Sequence, residues 1–301
     1  MAFLYFSKKI GKAMKRYLSM IKFSHTIFAL PFAILGFTLG SLSSGDTIDW
    51  ILFAYVLLCM IFARSAAMSF NRYIDRDIDG ANPRTAVREI PSGVISPRSA
   101  LLFTLFNCLA FIVVTAFINS ICFYLSPVAL AVVLGYSYTK RFTFLCHLIL
   151  GLGLSLAPVG AYLAVTGQFD WIPVLLGVGV LFWVAGFDVI YALQDSDFDK
   201  EKGLFSIPSY FGKSKALIIS RVLHALCAIA LALSIKLIIE QLGLQYGFGL
   251  TGLAVFCTLL LYQHSLVKAN DLSKVNLAFF TTNGIASIVF TCILVVGLYL
   301  A

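Results

Sequence analysis

Charge is what this chain has least of. Of its 301 residues only 12% are charged, where a soluble domain carries about 25%. Hydrophobic residues make up 60%, and the mean hydropathy is +0.94. That shortage excludes an ordinary soluble domain and points to a polytopic membrane protein. Paired cysteines are also missing. The seven cysteines are scattered, mostly within apolar runs, and no CxxC pair occurs. They read as small buried hydrophobes. The four histidines, His25, His147, His224 and His264, show no metal-ligand spacing. There is no basic stripe either. The net charge of +8 comes from residues that punctuate apolar runs, which suits anionic lipid and membrane topology and gives no reason to expect a nucleic-acid partner. No small-residue cleavage site follows the first apolar run, so that run reads as a retained span.

What is there is a succession of apolar runs. Residues 1–22, with Lys8, Lys9, Lys12, Lys15, Arg16 and Lys22 among aromatic and aliphatic residues, read as an amphipathic segment on the cytoplasmic leaflet. Residues 23–300 read as one all-α domain of nine transmembrane helices, near 23–42, 50–70, 99–119, 121–139, 143–165, 171–193, 215–239, 244–266 and 276–300. Each is close to the ~20 residues that cross a bilayer. Nearly all Lys and Arg fall in the N-terminal arm and in the loops at 71–98, 140–141, 195–215 and 263–275. The positive-inside rule makes those segments cytoplasmic.

Two of these basic loops begin with acids. Asn71, Asp75 and Asp79 are spaced four apart, which keeps them on one face of a helix. About 120 residues later Asp195 and Asp199 repeat the step, with Asp188 seven residues before Asp195. Clustered carboxylates repel unless a cation neutralises them. Oxygen-only ligands suit a hard cation, and Mg²⁺ takes one or two carboxylates together with water and phosphate oxygens. Arg72, Arg76, Arg84, Arg88, Lys140 and Arg141 are available for anionic oxygens. The membrane setting turns that combination into a site for a lipid diphosphate.

Other candidates carry two readings each. Asp188 lies deeper than the other acids, where an acid must face the protein interior. It either orients an aromatic co-substrate or takes its proton, or it is a buried acid paired with a neighbouring helix. Tyr136 and Lys140 are i,i+4 at the end of the fourth span, and Tyr191 precedes Asp195 by four. These residues line the same cavity or anchor span ends at the interface. Lys22 reaches phosphate or serves as a topology signal.

Asn71-x3-Asp75-x3-Asp79 with Arg84-Thr85 and Arg88-x2-Pro91-x-Gly93 resembles the first signature of the UbiA superfamily of intramembrane prenyltransferases. Asp188-x2-Tyr191-x3-Asp195-x3-Asp199 resembles the second, and Tyr136-x3-Lys140-Arg141 is similar to a further stretch of that family. The resemblance implies a helical bundle around a central cavity with a cytoplasmic cap, in a bacterial inner membrane. It implies Mg²⁺ held by Asn71, Asp75 and Asp79 on one side and by Asp195 and Asp199 on the other. Arg72, Lys140, Arg84 and Arg88 would contact the diphosphate, and Asp75, Asp188 and Asp195 would be the catalytic acids. Within the superfamily the chain resembles the 4-hydroxybenzoate polyprenyltransferases of ubiquinone and menaquinone synthesis, whose partners are a polyprenyl diphosphate and a small aromatic acid. The run Arg88-Glu89-Ile90 departs from their pattern and is similar to relatives that prenylate a naphthoate. The rival from another class is a cation-coupled transporter.

Overall fold

The computed structural model describes residues 15–21, 28–45 and 47–300. Most of the basic N-terminal arm and the start of the first expected span lie outside them. The described chain is helical, with one isolated bridge between Lys268 and Asp271. We label the helices α1 (Leu30–Ser44), α2 (Trp50–Ile74), α3 (Arg76–Ala81), α4 (Pro97–Ala116), α5 (Ser120–Thr139), α6 (Cys146–Thr166), α7 (Trp171–Ala192), α8 (Ser196–Glu201), α9 (Ile207–Phe211), α10 (Lys213–Leu242), α11 (Tyr246–Ser265) and α12 (Asn283–Tyr299). Eight of these, counting α7 on through α8 and α12 with the turn before it, are long and apolar enough to cross a bilayer. The remaining expected span, the first, is represented by α1, which is apolar and 15 residues long.

Polar residues set the helix ends. Asp49, Ser96, Asn119 and Asp170 each accept a hydrogen bond from a backbone N–H in the first turn of the helix that follows. At the other end Gly45 and Gly167 close α1 and α6 with φ of 69° and 64°, a conformation that favours glycine.

Aromatic residues dominate the core. Phe32, Trp183, Phe187, Phe256 and Phe290 are almost wholly buried and stack at tilted or edge-on angles. Lipid is as apolar as these side chains, so burial alone does little to hold helices together. Close backbone approach and interhelical hydrogen bonds do more. Trp183 Nε1 donates to Asn283 Oδ1 at 3.0 Å, and Ser220 Oγ to the Gly186 carbonyl at 2.7 Å. A Cβ on Gly36 would run into the Pro158 carbonyl, and one on Gly151 into that of Leu181. These contacts fasten α1 to α6 and α6 to α7.

Three features position the site. First, α2, α4, α5 and α6 line a partly open apolar cavity of about 430 Å³, whose walls extend from Met68, Arg64 and Tyr136 to Ile118 and Phe169. Second, at the end of the bundle where α2, α5 and α7 finish, the polar loop after α3 meets the turn that precedes α8, and the loop after α8 meets the end of α5. The helical residues 15–20 pack there too, with Met20 and Ile21 against Ile90, Ile95 and Ala100. Third, a π-helical turn, Leu277–Thr282, precedes α12. Asn283 Nδ2 donates to the carbonyls of Ala278 and Phe279 within it. The turn sets the Phe279 ring on Tyr191, with centroids 4.2 Å apart.

A leucine at Gly151 has no room between α6 and α7. We expect Gly151→Leu to cost about 1–3 kcal/mol, the penalty of an overpacked contact, and to lower the apparent Tm in detergent. Gly135→Ala, which meets nothing within 4 Å, should leave the Tm unchanged or raise it slightly.

Candidate active site

The first acidic motif is local in origin. Regular helix stops at Ile74, and Asp75 sits at φ −89°, ψ 5° between α2 and α3. The ladder nevertheless continues, with Asp75 N–H donating to the Asn71 carbonyl at 2.9 Å and Asp79 N–H to that of Asp75 at 2.7 Å. The three side chains therefore keep the shared face that their spacing predicts. Asp77, off that face, points outward with 86% of its side chain exposed.

Each buried carboxylate of the motif meets cations. Asp75, 2% exposed, accepts from Asn71 Nδ2 at 3.1 Å, from Lys140 Nζ at 3.1 Å and from Arg141 Nη2 at 2.9 Å. Arg141 also donates to the carbonyls of Ile74 and Ser137, so it ties the end of α5 to the end of α2. Asp79, 3% exposed, pairs through Oδ1 with Arg88 Nη1 at 2.6 Å. Its Oδ2 is buried and takes no partner. Arg72 is buried as well, and its Nε finds no acceptor. A buried donor and a buried acceptor both left unsatisfied are costly. Their presence in one motif marks a place built for a polar ligand.

The second motif faces the first. After α7 a 3₁₀ turn, Leu193–Asp195, leads into α8. Arg84 forks onto Asp195, with Nε 2.8 Å from Oδ1 and Nη2 on Oδ2. It also donates through Nη1 to the Tyr191 hydroxyl at 3.2 Å. Burial works against the Arg84 guanidinium, but the bonds to Asp195 and Tyr191 outweigh it and hold its pKa above the ordinary value. Asn82 Nδ2 donates to Asp195 at 3.0 Å across the same gap. Asp199 accepts from Ser206 Oγ at 3.0 Å, and Phe205 N–H donates to the Lys140 carbonyl at 2.7 Å. The first loop is thus tied to the second motif through Asn82 and Arg84, and Lys140 at the end of α5 joins the second loop to Asp75.

Asp188 pairs with a neighbouring helix, through His147 Nδ1 of α6 at 2.7 Å. It remains 23% exposed and close enough to Tyr136 to act on it electrostatically, as do Arg72, Asp75 and Arg64. Tyr136 lines the apolar cavity together with Arg64. The cavity lining reaches Met68 on α2, less than one helical turn before Asn71, so the acid-and-base rim begins about 5 Å beyond the cavity wall at 1.5 Å per residue.

Of the residues singled out in the sequence, the structure brings Asn71, Arg72, Asp75, Asp79, Arg84, Arg88, Tyr136, Lys140, Asp188, Tyr191, Asp195 and Asp199 to this end of the bundle. Lys22 lies outside the described residues. Arg84, Arg88 and Lys140, expected on a diphosphate, rest on carboxylates. Among the described residues no three of His, Cys, Asp and Glu converge on one point. Sequence reasoning missed Asn82, His147 and Ser206. Asn82 and Ser206 sit in the two polar loops that follow the acidic motifs, which is the only signal any of them gave.

Comparison with known proteins agrees with this arrangement. The family model described as the UbiA prenyltransferase family matches residues 29–285. The 4-hydroxybenzoate octaprenyltransferase of Aliivibrio salmonicida (strain LFI1238) is 32% identical over 246 residues, 81% of this chain and 84% of that protein. Its counterpart in Alcanivorax borkumensis is 34% identical over 71% of this chain and 72% of its own. Among solved structures, the apo form of a UbiA homolog from Aeropyrum pernix K1 superposes with a TM-score of 0.78 at 29% identity, covering 90% of this chain and 97% of that one. A UbiA homolog from Archaeoglobus fulgidus bound to DMAPP and Mg²⁺ shares the fold at a TM-score of 0.70 and 22% identity, covering 95% of this chain and 100% of that one. A match over so much of the length, on a helical membrane bundle of this kind, leaves no ambiguity of family: the chain belongs to the UbiA prenyltransferase family and is an enzyme of the membrane.

Proposed function

We propose that this enzyme transfers a polyprenyl group from a polyprenyl diphosphate to 4-hydroxybenzoate, with Mg²⁺, in quinone biosynthesis. The observation that carries the reading is the pairing of two opposed carboxylate motifs with an apolar cavity below them. A diphosphate with an isoprenoid tail has that same division, polar at one end and apolar along the rest. The curated relatives named 4-hydroxybenzoate octaprenyltransferase support the acceptor, and the Archaeoglobus fulgidus structure with DMAPP and Mg²⁺ supports the donor and the metal. The unpartnered Oδ2 of Asp79, with Asn71, Asp75, Asp195 and Asp199, gives the oxygen-rich donor set that suits a hard cation. Bound there, Mg²⁺ would screen the carboxylates from the diphosphate and stabilise charge on the leaving group.

The chain's own residues divide the remaining work. Arg72, Arg84, Arg88 and Lys140 supply cations fixed in place before the substrate arrives. The apolar walls of α2, α4, α5 and α6 take the tail and keep water from the allylic carbon as its bond to oxygen breaks. Asp188, near Tyr136 and the cavity, faces the aromatic acceptor. The positive-inside pattern supports a cytoplasmic position for this end of the bundle. Membership in an enzyme family displaces the transporter reading. The naphthoate alternative rests on Arg88-Glu89, yet Glu89 accepts from Ser19 Oγ of the N-terminal helix at 2.6 Å, which gives that glutamate a role in packing.

Purified enzyme given Mg²⁺, a polyprenyl diphosphate and 4-hydroxybenzoate should form the prenylated acid, and EDTA should stop it. A dihydroxynaphthoate used faster than 4-hydroxybenzoate would overturn the acceptor assignment. Asp75→Ala and Asp195→Ala should each lower turnover by about 10²–10³-fold, the scale for losing one group that stabilises a transition state, while the melting curve still shows a folded protein. Arg84→Ala should raise the KM for the prenyl diphosphate more than that for the acceptor.

A further inference from the structure

His147 has no part in the chemistry described so far, yet both of its ring nitrogens are engaged. It stands in the first turn of α6 with 3% of its side chain exposed. Nδ1 lies 2.7 Å from Asp188 Oδ2. On the opposite side of the ring, Nε2 accepts from the backbone N–H of Ile207 at 3.2 Å. A backbone N–H can only donate, so Nε2 carries no proton. The ring proton is therefore on Nδ1, and it is donated to the Asp188 carboxylate. Geometry alone fixes the histidine as neutral and in one tautomer, as a second hydrogen bond does for many functional imidazoles.

This ring joins three parts of the molecule. Asp188 belongs to α7, His147 to α6, and Ile207 opens α9 in the second polar loop. The same turn of loop holds an acidic motif, because Ser206 Oγ donates to Asp199 at 3.0 Å and Ser206 also caps α9 through the Ser209 N–H. The other Asp188 oxygen, Oδ1, takes no hydrogen bond from the described residues, and the carboxylate stays partly exposed and near enough to Tyr136, a residue of the cavity wall, to act on it electrostatically.

We propose that His147 is a positioning residue. It clamps Asp188 through Oδ2, which fixes the carboxylate in one rotamer and presents Oδ1 to a hydroxyl or ring hydrogen of the aromatic acceptor. Because its second nitrogen is held by the Ile207 N–H, the clamp is complete only when the loop that carries Ser206 and Asp199 is seated. The acceptor site and the second acidic motif are in this way assembled together. The inference rests on the reading of Asp188 as the acceptor-facing acid.

Three variants separate the two ring contacts. His147→Ala removes both. His147→Asn keeps a donor at the position of Nδ1, and His147→Gln reaches only the position of Nε2. With saturating prenyl diphosphate, kcat should fall about 10- to 100-fold in His147→Ala, the cost of one hydrogen bond to a charged group, with the KM for the diphosphate unchanged. His147→Asn should recover most of that loss and His147→Gln should not. Wild-type kcat in the alanine variant, or rescue by glutamine as good as by asparagine, overturns the proposal. A measurement on the resting protein needs no turnover. Nitrogen-15 spectra of ring-labelled histidine should show a resonance pair with Nδ1 protonated and Nε2 bare that disappears in His147→Gln. A doubly protonated ring would refute the clamp. If the tautomer is as stated but the wild-type enzyme prenylates neither acceptor, the functional reading fails, and with it the acceptor role of Oδ1, while the clamp itself stands.

Discussion

Carboxylates cannot be gathered at the end of an apolar bundle unless charge of the other sign meets them there. Removing an ion from water costs several kcal/mol even after relaxation, and an unpaired carboxylate would take up a proton or unfold its surroundings. Asp75 and Asp79 are buried, and each is met by at least one cation. Much of the architecture at this end follows from that requirement. Lys140 and Arg141 lie at the end of α5 so that they reach the junction between α2 and α3. Arg84 and Arg88 come from a loop long enough to lean on both motifs. The polar loops are held over the bundle by ion pairs and by apolar contacts, with residues 15–21 packed on the first loop and Ile207, Tyr210 and Phe211 of the second packed on the bundle.

The same requirement explains why the two halves of the site are unlike in their partners. The first motif rests on Arg88, Lys140 and Arg141, the second on Arg84, Asn82 and Ser206. Arg84 is the link, since it comes from the first loop and pairs with the second motif. Its guanidinium lies over Tyr191, 5.5 Å from the ring centroid, and Tyr191 in turn stacks on Phe279. A chain of contacts therefore runs from the π-helical turn before α12 through an aromatic pair to an arginine and on to Asp195. The last span, remote in sequence from either acidic motif, bears directly on how one of them is held.

How much of this could be read in the sequence depended on distance along the chain. The acid faces were legible because a four-residue step is a property of one helix, and the ladder from Asn71 to Asp79 keeps it. Spans were legible because hydropathy is a sum over neighbours. Their ends were less so. The second expected span, near 50–70, runs on to Ile74, and the seventh, near 215–239, fills Lys213–Leu242, since polar residues continue a helix as readily as apolar ones. What was hidden was pairing between distant residues. Asn82 meets Asp195 across 113 residues, His147 meets Asp188 across 41, and Ser206 is a loop serine like many others. A lone histidine within an apolar run gives no sign that both of its nitrogens will be used. The Asp188 reading had two branches, and the pairing with a neighbouring helix is what the structure shows, without removing the carboxylate from the cavity's neighbourhood.

The π-helical turn at Leu277–Thr282 also bears on how this chain can change in length. Within a regular span, losing one residue turns everything beyond it by about 100° and moves its buried face into lipid. A π turn is the equivalent of one residue inserted into an α-helix. Deleting a residue there would restore ordinary helix and leave α12 in phase with its neighbours, so Phe290 and Leu294 would stay in the core. The aim of Phe279 at Tyr191 would be lost instead. At this point in the last span, a single-residue deletion is absorbed by the site and spares the fold.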